Sequence, residues 1–186
     1  MCLKNKSCTL SAEVGRAEPY DHPAAASSEQ LIAECDVQRL RRSGPGGQHR
    51  NKVETAIKLH HLPTGVHAEA NERRSQAQNR SVALFRLRVN LALEVRRGSG
   101  ADYVASPLWQ SRCGGGAMKL SADHDDFPAL LAEALDVLAA LHFEPRAAAD
   151  VLRCTPSQLI RLLKLDPRAL AFVNRWRRER QMHALR

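Results

Sequence analysis

Residues 43–52 have the sequence SGPGGQHRNK, in which two adjacent glycines, Gly46 and Gly47, precede Gln48. Glycine reaches backbone conformations that a Cβ atom forbids, and it lets the chain approach a partner closely. Pro45 fixes its own φ and stiffens the approach to the glycine pair. Gln48 adds one carbonyl acceptor and two N–H donors without a charge. A segment of this kind suits insertion into a crowded polar site, where a charged side chain would be costly to desolvate.

Two further pieces follow this segment in order. Residues 63–65 read Pro-Thr-Gly, and residues 74–80 carry the pattern RSQxxNR. A glycine pair alone marks a simple turn in most sequences, whereas these pieces and the HxNK pattern of residues 49–52 together form a specific set. Over residues 39–94 the chain resembles the catalytic domain of class I peptide chain release factors. It is most similar to the small codon-independent members that rescue stalled ribosomes.

This resemblance implies hydrolysis of the ester that joins a nascent peptide to the 3′-terminal adenosine of P-site tRNA, with Gly46, Gly47 and Gln48 as catalytic residues. The neighbouring sequence offers no Ser/His/Asp set and no close pair of carboxylates. We therefore expect the Gln48 backbone N–H to stabilise an oxyanion, while the Gln48 side chain excludes or orients water. The ribosome would supply the rest of the site. The matching glutamine can be N-methylated in this family, so Gln48 is a candidate modification site.

Polar and cationic residues surround the catalytic segment and occupy the first turns of the helix that follows it. We expect them to contact ribosomal RNA and the acceptor end of the tRNA. For the members within residues 74–80, bracing the segment from inside the domain is an equal alternative. For the others, the alternative is a generic basic surface. The candidates are Arg42, Ser43, Pro45, His49, Arg50, Asn51, Lys52, Arg74, Ser75, Gln76, Asn79 and Arg80.

A second candidate RNA-binding run lies near the C-terminus, where a tryptophan stands among arginines. An aromatic ring with cationic neighbours can stack on the bases of single-stranded RNA. Small rescue factors carry a basic tail that lies in the empty mRNA entry channel, and this run is similar in kind, although it follows a helical pattern. The alternative is a solvated helix end whose tryptophan packs on the core. The candidates are Arg175, Trp176, Arg177, Arg178 and Arg180.

The charge of the chain is concentrated in these two regions. The 186 residues include 28 Lys or Arg and 20 Asp or Glu, which gives a net charge of +8. Residues 36–97 carry thirteen cations against five anions, and residues 172–186 carry five against one. This pattern favours a polyanionic partner, most simply nucleic acid. Together with the resemblance, it predicts ribosomal RNA and P-site peptidyl-tRNA as partners, without DNA or a membrane.

Composition disfavours several other classes of protein. No apolar run approaches the roughly 20 residues that a membrane helix needs. The N-terminus lacks an apolar signal region, and Glu13, Glu18 and Asp21 disfavour a mitochondrial transit peptide, so we expect a cytoplasmic protein. The five cysteines form no CxxC pair, which indicates reduced thiols. His60 and His61 would point to opposite faces of a strand, so we expect no metal site. No cofactor is implied, and a monomer is the default.

Local patterns predict the elements of the fold. Residues 56–61 and 66–70 are strand-like runs around a Pro-Thr-Gly turn. Residues 75–94 have a helical apolar period with Ser75 as N-cap, and Thr155 begins a capping box. The apolar stripe of the long helix is expected to contain Val82, Leu84, Phe85, Leu87, Val89, Leu91 and Ala92.

The predicted fold class is α+β: a small mixed sheet packs on a long helix and displays the GGQ loop, and an all-helical module and a basic tail follow. Within the linker of this arrangement, Tyr103, Leu108 and Trp109 are candidates to dock on a core. The predicted divisions are a mobile N-terminal tail over residues 1–28, a catalytic domain over 29–97, a Gly/Pro-containing linker over 98–122 and a helical module with helix-turn-helix character over 123–186.

Two other functions stay open beside codon-independent release of nascent peptides from stalled ribosomes. The protein could be a non-catalytic module that binds ribosomal RNA or the ribosome, with the GGQ loop serving only to dock. It could also be a specialised release factor for stop codons or damaged ribosomes. Only 45 residues precede Gly46, and no part of the sequence matches a codon-reading module, so codon-independent hydrolysis is the leading prediction.

Overall fold

The computed structural model describes residues 20–41, 55–98, 103–113 and 118–186. These ranges contain three strands and seven α-helices, with a short 3-10 helix at Pro23–Ala25. The predicted α+β class is therefore confirmed. The strands are β1 (Cys35–Leu40), β2 (Ala56–His61) and β3 (His67–Ala70), and the helices are α1 (Ser28–Ala33), α2 (Gln76–Glu94), α3 (Pro107–Cys113), α4 (Phe127–Ala140), α5 (Pro145–Val151), α6 (Pro156–Lys164) and α7 (Pro167–Glu179).

The described strands form one sheet in the order β1-β2-β3. Both pairings are antiparallel, so the sheet that we expected to be mixed is antiparallel throughout the described residues. The β2–β3 hairpin closes where sequence patterning placed it, because Gly65 adopts φ 74° and the His61 backbone accepts its N–H at 2.8 Å. A positive φ favours glycine, which explains the residue at the end of the Pro-Thr-Gly turn.

Helix α2 packs against β2 and β3 and forms the centre of this part of the molecule. Ser75 is its N-cap, as predicted, and the Ser75 hydroxyl accepts from the Gln78 N–H. The buried face is rotated from the predicted stripe: Ala83 and Asn79 are fully buried, whereas Phe85 is only partly buried. The apolar pattern did not predict burial of these small and polar residues. The small side chain of Ala83 permits close packing, and the Asn79 amide is fully hydrogen-bonded.

The C-terminal helices α4 to α7 bury leucine and alanine side chains in one continuous core with α2. Helix α4 is buried along nearly its whole length and packs against α2. The predicted capping box of α6 is confirmed, with reciprocal bonds between Thr155 and Gln158. Asp166 caps α7, and the Arg168 side chain binds both the Asp166 carboxylate and Asn90 of α2.

Part of the stretch predicted as a linker is packed into this core. Residues 107–113 form α3, and Trp109 at its centre is fully buried, with its indole N–H donating to the Leu152 carbonyl at 2.9 Å. The buried Glu133 carboxylate of α4 accepts from the Ser106 hydroxyl at 2.6 Å and from the Tyr103 hydroxyl at 2.7 Å. All three side chains proposed to dock pack against the core, because Leu108 is also partly buried against it.

The described end of the predicted N-terminal tail is also packed. Ala24 and His22 are buried, and the Tyr20 hydroxyl donates to the Asp136 carboxylate of α4 at 2.5 Å. Asp136 also pairs with Arg96 at 3.1 Å and accepts from the Arg97 backbone N–H. Burial raises the pKa of Asp136, while these hydrogen bonds and the arginine favour its charged form. This carboxylate connects residues 20–26, the end of α2 and the C-terminal helices.

No helix in the described ranges combines the length and the apolar character needed to cross a membrane.

Candidate functional site

The segment predicted to be catalytic lies outside the described residues, because the structure describes nothing between Arg41 and Thr55. Its frame is described. Leu40 at the end of β1 and Ala56 at the start of β2 are partners in the antiparallel register, so the segment joins two adjacent strand ends. The predicted site residues that fall in this gap are Arg42, Ser43, Pro45, Gly46, Gly47, Gln48, His49, Arg50, Asn51 and Lys52.

Asn79 is the described residue that connects most directly to this segment. It is fully buried in the first turn of α2, and its Nδ2 donates to the carbonyl oxygens of Thr55 at 2.7 Å and Arg73 at 2.9 Å. Its Oδ1 accepts from the Arg73 backbone N–H at 2.9 Å. Thr55 is the first described residue after the segment, so the amide ties the chain on this side of the segment to the helix. Of the two roles predicted for Asn79, the geometry favours internal bracing.

The other members of the RSQxxNR block are placed differently. Arg74 and Arg80 are exposed, and neither has an ion-pair partner in the described part of the chain. Ser75 caps α2, and Gln76 is partly buried at the start of the helix. Asn79 therefore braces the domain, while Arg74 and Arg80 present cations near the same helix end.

Sequence reasoning missed the backbone groups that complete this brace. The Thr55 carbonyl and the Arg73 peptide group contact Asn79, and a backbone group leaves no signal in the residue types. Asn79 is the one part of this brace that the sequence identifies by residue type. A buried amide of this kind must find hydrogen-bond donors and acceptors. The sequence pattern identified that residue but not its partners.

The C-terminal run is helical and folded against the core. Its tryptophan, Trp176, is partly buried and stacks on Phe143 with ring centroids 5.7 Å apart, and it meets Phe172 edge-on at 6.3 Å. The Arg180 guanidinium lies 5.1 Å from the Trp176 ring centroid. The ring is thus occupied by intramolecular contacts, which corresponds to the alternative of a helix end with a packed tryptophan.

Among the arginines of this run, Arg177 is buried. Its guanidinium donates to the carbonyl oxygens of Phe143 at 2.5 Å and His183 at 2.8 Å. Asn174 meanwhile exchanges two hydrogen bonds with the Leu185 backbone, so residues 181–186 fold back along α7. Arg177 therefore holds the C-terminus in place, whereas Arg175, Arg178 and Arg180 are exposed.

The histidines of the hairpin have structural contacts. His61 is buried, with one ring nitrogen 2.7 Å from the Thr64 hydroxyl and the other 2.9 Å from the Glu34 carboxylate. His60 and His67 are register partners on the neighbouring strands. Within the described residues, no group of three or more His, Cys, Asp or Glu side chains has an arrangement that could hold a metal ion.

These features define a small α+β domain in which a long helix braces a GGQ segment carried between two paired strands. Residues 30–102 match the family model of the RF-1 domain, the catalytic domain of class I release factors. The match covers less than half of the chain, and it confirms that this part of the chain is similar to the catalytic domain of class I release factors.

Two relatives show how far the similarity extends. The chain is 39% identical over 85 residues to peptide chain release factor 1 of Acidiphilium cryptum (strain JF-5). It is 49% identical over 73 residues to peptide chain release factor 1 of Xylella fastidiosa (strain 9a5c). The matches cover 45% and 39% of this chain but only 24% and 20% of the two relatives. The chain thus spans a quarter or less of the length of these curated relatives.

Proposed function

We propose that the protein hydrolyses the peptidyl-tRNA ester on the ribosome and releases nascent peptides from stalled complexes without reading a codon. The observation that supports this most is the Gly46-Gly47-Gln48 sequence inside the part of the chain that matches the RF-1 domain. The codon-independent part of this proposal rests on the resemblance to small rescue factors. The partners of this activity are large-subunit ribosomal RNA and P-site peptidyl-tRNA in the cytoplasm.

In the proposed mechanism, the GGQ segment enters the peptidyl transferase centre and excludes bulk water. One water molecule attacks the ester carbonyl, and the Gln48 backbone N–H donates to the oxyanion that develops. The bond from the carbonyl carbon to the ribose oxygen of the terminal adenosine then breaks, and that oxygen leaves with a proton from the attacking water. The glycines let the backbone approach the tRNA end closely. Removing one oxyanion donor typically costs about 3–4 kcal/mol of transition-state stabilisation. Gln48 is also the proposed site of N-methylation.

The strands on either side of the GGQ segment and Asn79 support this mechanism, because they position the two ends of the segment. The segment begins and ends at paired strands, and Asn79 binds the carbonyl of the residue that follows it. We assign Asn79 as a positioning residue and Arg74 and Arg80 as contacts to ribosomal RNA. Because residues 181–186 fold back on α7, we do not extend the proposal to insertion of this run into the mRNA entry channel.

The test is peptide release from ribosomes that hold formyl-methionyl-tRNA in the P site. The A site contains either no codon or a stop codon. Gly47→Ala adds a Cβ atom where close approach is needed, so we expect this variant to lose release and to keep ribosome binding. Release that requires a stop codon would indicate a specialised termination factor. Tight binding by the wild-type protein without release would instead indicate the non-catalytic binding module.

A further inference from the structure

The C-terminal helices are strongly basic. Residues 151–186 contain nine Lys or Arg side chains against two Asp or Glu, a net charge of +7. One of the two acids, Asp166, is largely buried and paired with Arg168, so Glu179 is the one exposed acidic side chain in these residues. A surface of this charge attracts a polyanion.

Helix α6 separates its apolar and basic residues cleanly. Leu159, Leu162 and Leu163 are buried against the core. Arg161 and Lys164 are three residues apart on the opposite side, where both are exposed. Neither forms an ion pair with any residue that the structure describes, so both charges are available to an external partner.

Helix α7 repeats this arrangement. Val173 and Arg177 are buried, while Arg175 and Arg178 are exposed on the outward side, three residues apart. Helices α6 and α7 pack against each other. We call Arg161, Lys164, Arg175 and Arg178 the α6–α7 basic surface.

The aromatic residues of the helical module indicate which nucleic acid fits this surface. Single-stranded RNA is held largely by bases that stack on aromatic side chains. Every Phe and Trp of residues 118–186 is buried or partly buried, and Phe143, Phe172 and Trp176 pack against one another. The exposed groups of the α6–α7 basic surface are cations, which bind phosphates. Double-helical RNA is recognised mainly through its backbone and shape, so it matches these groups better.

We propose that the α6–α7 basic surface binds the phosphate backbone of double-helical RNA, as presented by ribosomal RNA. This inference rests on the proposed function and deepens it, because it adds a second RNA contact outside the RF-1 domain. The contact has a fixed position relative to that domain, since Arg168 binds Asn90 at 2.9 Å and Asp136 binds Arg96 at 3.1 Å. Binding there would orient the RF-1 domain on the ribosome.

The first experiment measures binding of the full chain to a fluorescent RNA duplex of about 16 base pairs, the span of a double-stranded-RNA-binding domain. The test variant combines Arg161→Glu and Lys164→Glu. The matched control combines Lys119→Glu and Arg146→Glu, which make the same charge change at exposed cations elsewhere. Thermal unfolding verifies that both variants are folded.

We expect the test variant to weaken duplex binding about tenfold or more and to reduce the salt slope by about two, one for each lost phosphate contact. The control should change both quantities much less. Equal loss in the two variants would overturn the proposal, because it would show a general net-charge effect. Tighter binding of single-stranded than of duplex RNA, or no duplex binding by the wild-type chain, would also overturn it.

A second experiment separates this proposal from the proposed function. In the peptide-release assay, the Arg161→Glu and Lys164→Glu variant should need about tenfold or more protein for half-maximal release, with the same rate at saturation. Gly47→Ala should instead lose the rate and keep the binding. If the wild-type chain releases no peptide, the proposed function fails, and the duplex-binding result still decides the role of the basic surface.

Discussion

At the scale of single residues, the Asn79 amide connects the backbone that follows the GGQ segment to the first turn of α2. It satisfies the Thr55 carbonyl and both backbone groups of Arg73 from a fully buried position. The net contribution of such hydrogen bonds to stability is small, because the same groups bond to water in the unfolded chain. Removing the amide costs more, because it leaves its backbone partners unsatisfied. The side chain therefore specifies where the chain leaves the GGQ segment and enters β2.

Replacing Asn79 with alanine should lower the free energy of unfolding by about 1–3 kcal/mol, because the backbone groups of Thr55 and Arg73 lose their partner in part-buried hydrogen bonds. The Thr55 end of the segment would lose its anchor, so peptide release at saturating protein should also slow. Urea unfolding and single-turnover release measure the two effects. Gln78→Ala, at an exposed position in the same turn, is the control and should change stability by less than about 0.5 kcal/mol. Equal effects of the two substitutions would contradict the assigned role.

At the scale of elements, α3 is a packed helix in a stretch whose sequence predicts a linker. It is seven residues long, it begins with a proline, and glycines lie on both sides of it, which is the composition of a loop. A helix of this length has little stability of its own in water. The fully buried Trp109 ring and its hydrogen bond to Leu152 hold the helix in place. Tertiary contacts rather than local propensity determine this element.

Trp109→Ala should therefore cost about 3–5 kcal/mol of unfolding free energy, the range for removing a large buried aromatic side chain. If residues 107–113 were an undocked linker, the same substitution would lower the free energy of unfolding by less than about 0.5 kcal/mol. Urea unfolding followed by far-UV circular dichroism measures the cost. Leu108→Ala on the same helix is the comparison and should cost less, because Leu108 is only partly buried. A loss from Trp109→Ala no larger than that from Leu108→Ala would rule out the docking role.

The elements with strong local signals were predictable, and those fixed by distant contacts were not. The β2–β3 hairpin, the α2 N-cap and the α6 capping box follow from short-range chemistry, and the structure has all three. The burial of Ala83 and the packing of residues 20–26 depend on parts of the chain far away in sequence. The GGQ motif could be identified from residue types, whereas its brace uses backbone groups that residue types do not encode.

At the scale of the whole molecule, the residues that match the RF-1 domain and the C-terminal helices share one apolar core and one polar junction. The junction contains Tyr20, His22, Arg96 and Asp136, which come from the N-terminal segment, the end of α2 and α4. Tyr20 stacks on the His22 ring at 5.6 Å. Changes of charge at this junction should therefore alter the stability of the whole chain and not of one part.

His22 makes this dependence measurable through pH. Its Nδ1 accepts from the Ala24 N–H at 3.0 Å, and its Nε2 lies 3.3 Å from the Val95 carbonyl, so the folded chain holds the neutral ring. Burial lowers the pKa of His22 to about 4, and nearby Arg96 and Arg97 also lower it. Below an unfolded pKa of about 6.5, the unfolded chain binds a proton that the folded chain excludes, so stability falls as pH falls.

Between pH 7 and pH 4, this one group should lower the free energy of unfolding by about 3 kcal/mol. Other groups also titrate there, so the quantity to measure is the difference between the wild-type chain and His22→Asn at each pH. In urea unfolding, that difference should shrink by about 3 kcal/mol as the pH is lowered, because the variant lacks the titrating ring. A His22→Asn difference that stays constant would show that His22 is not held neutral at the junction.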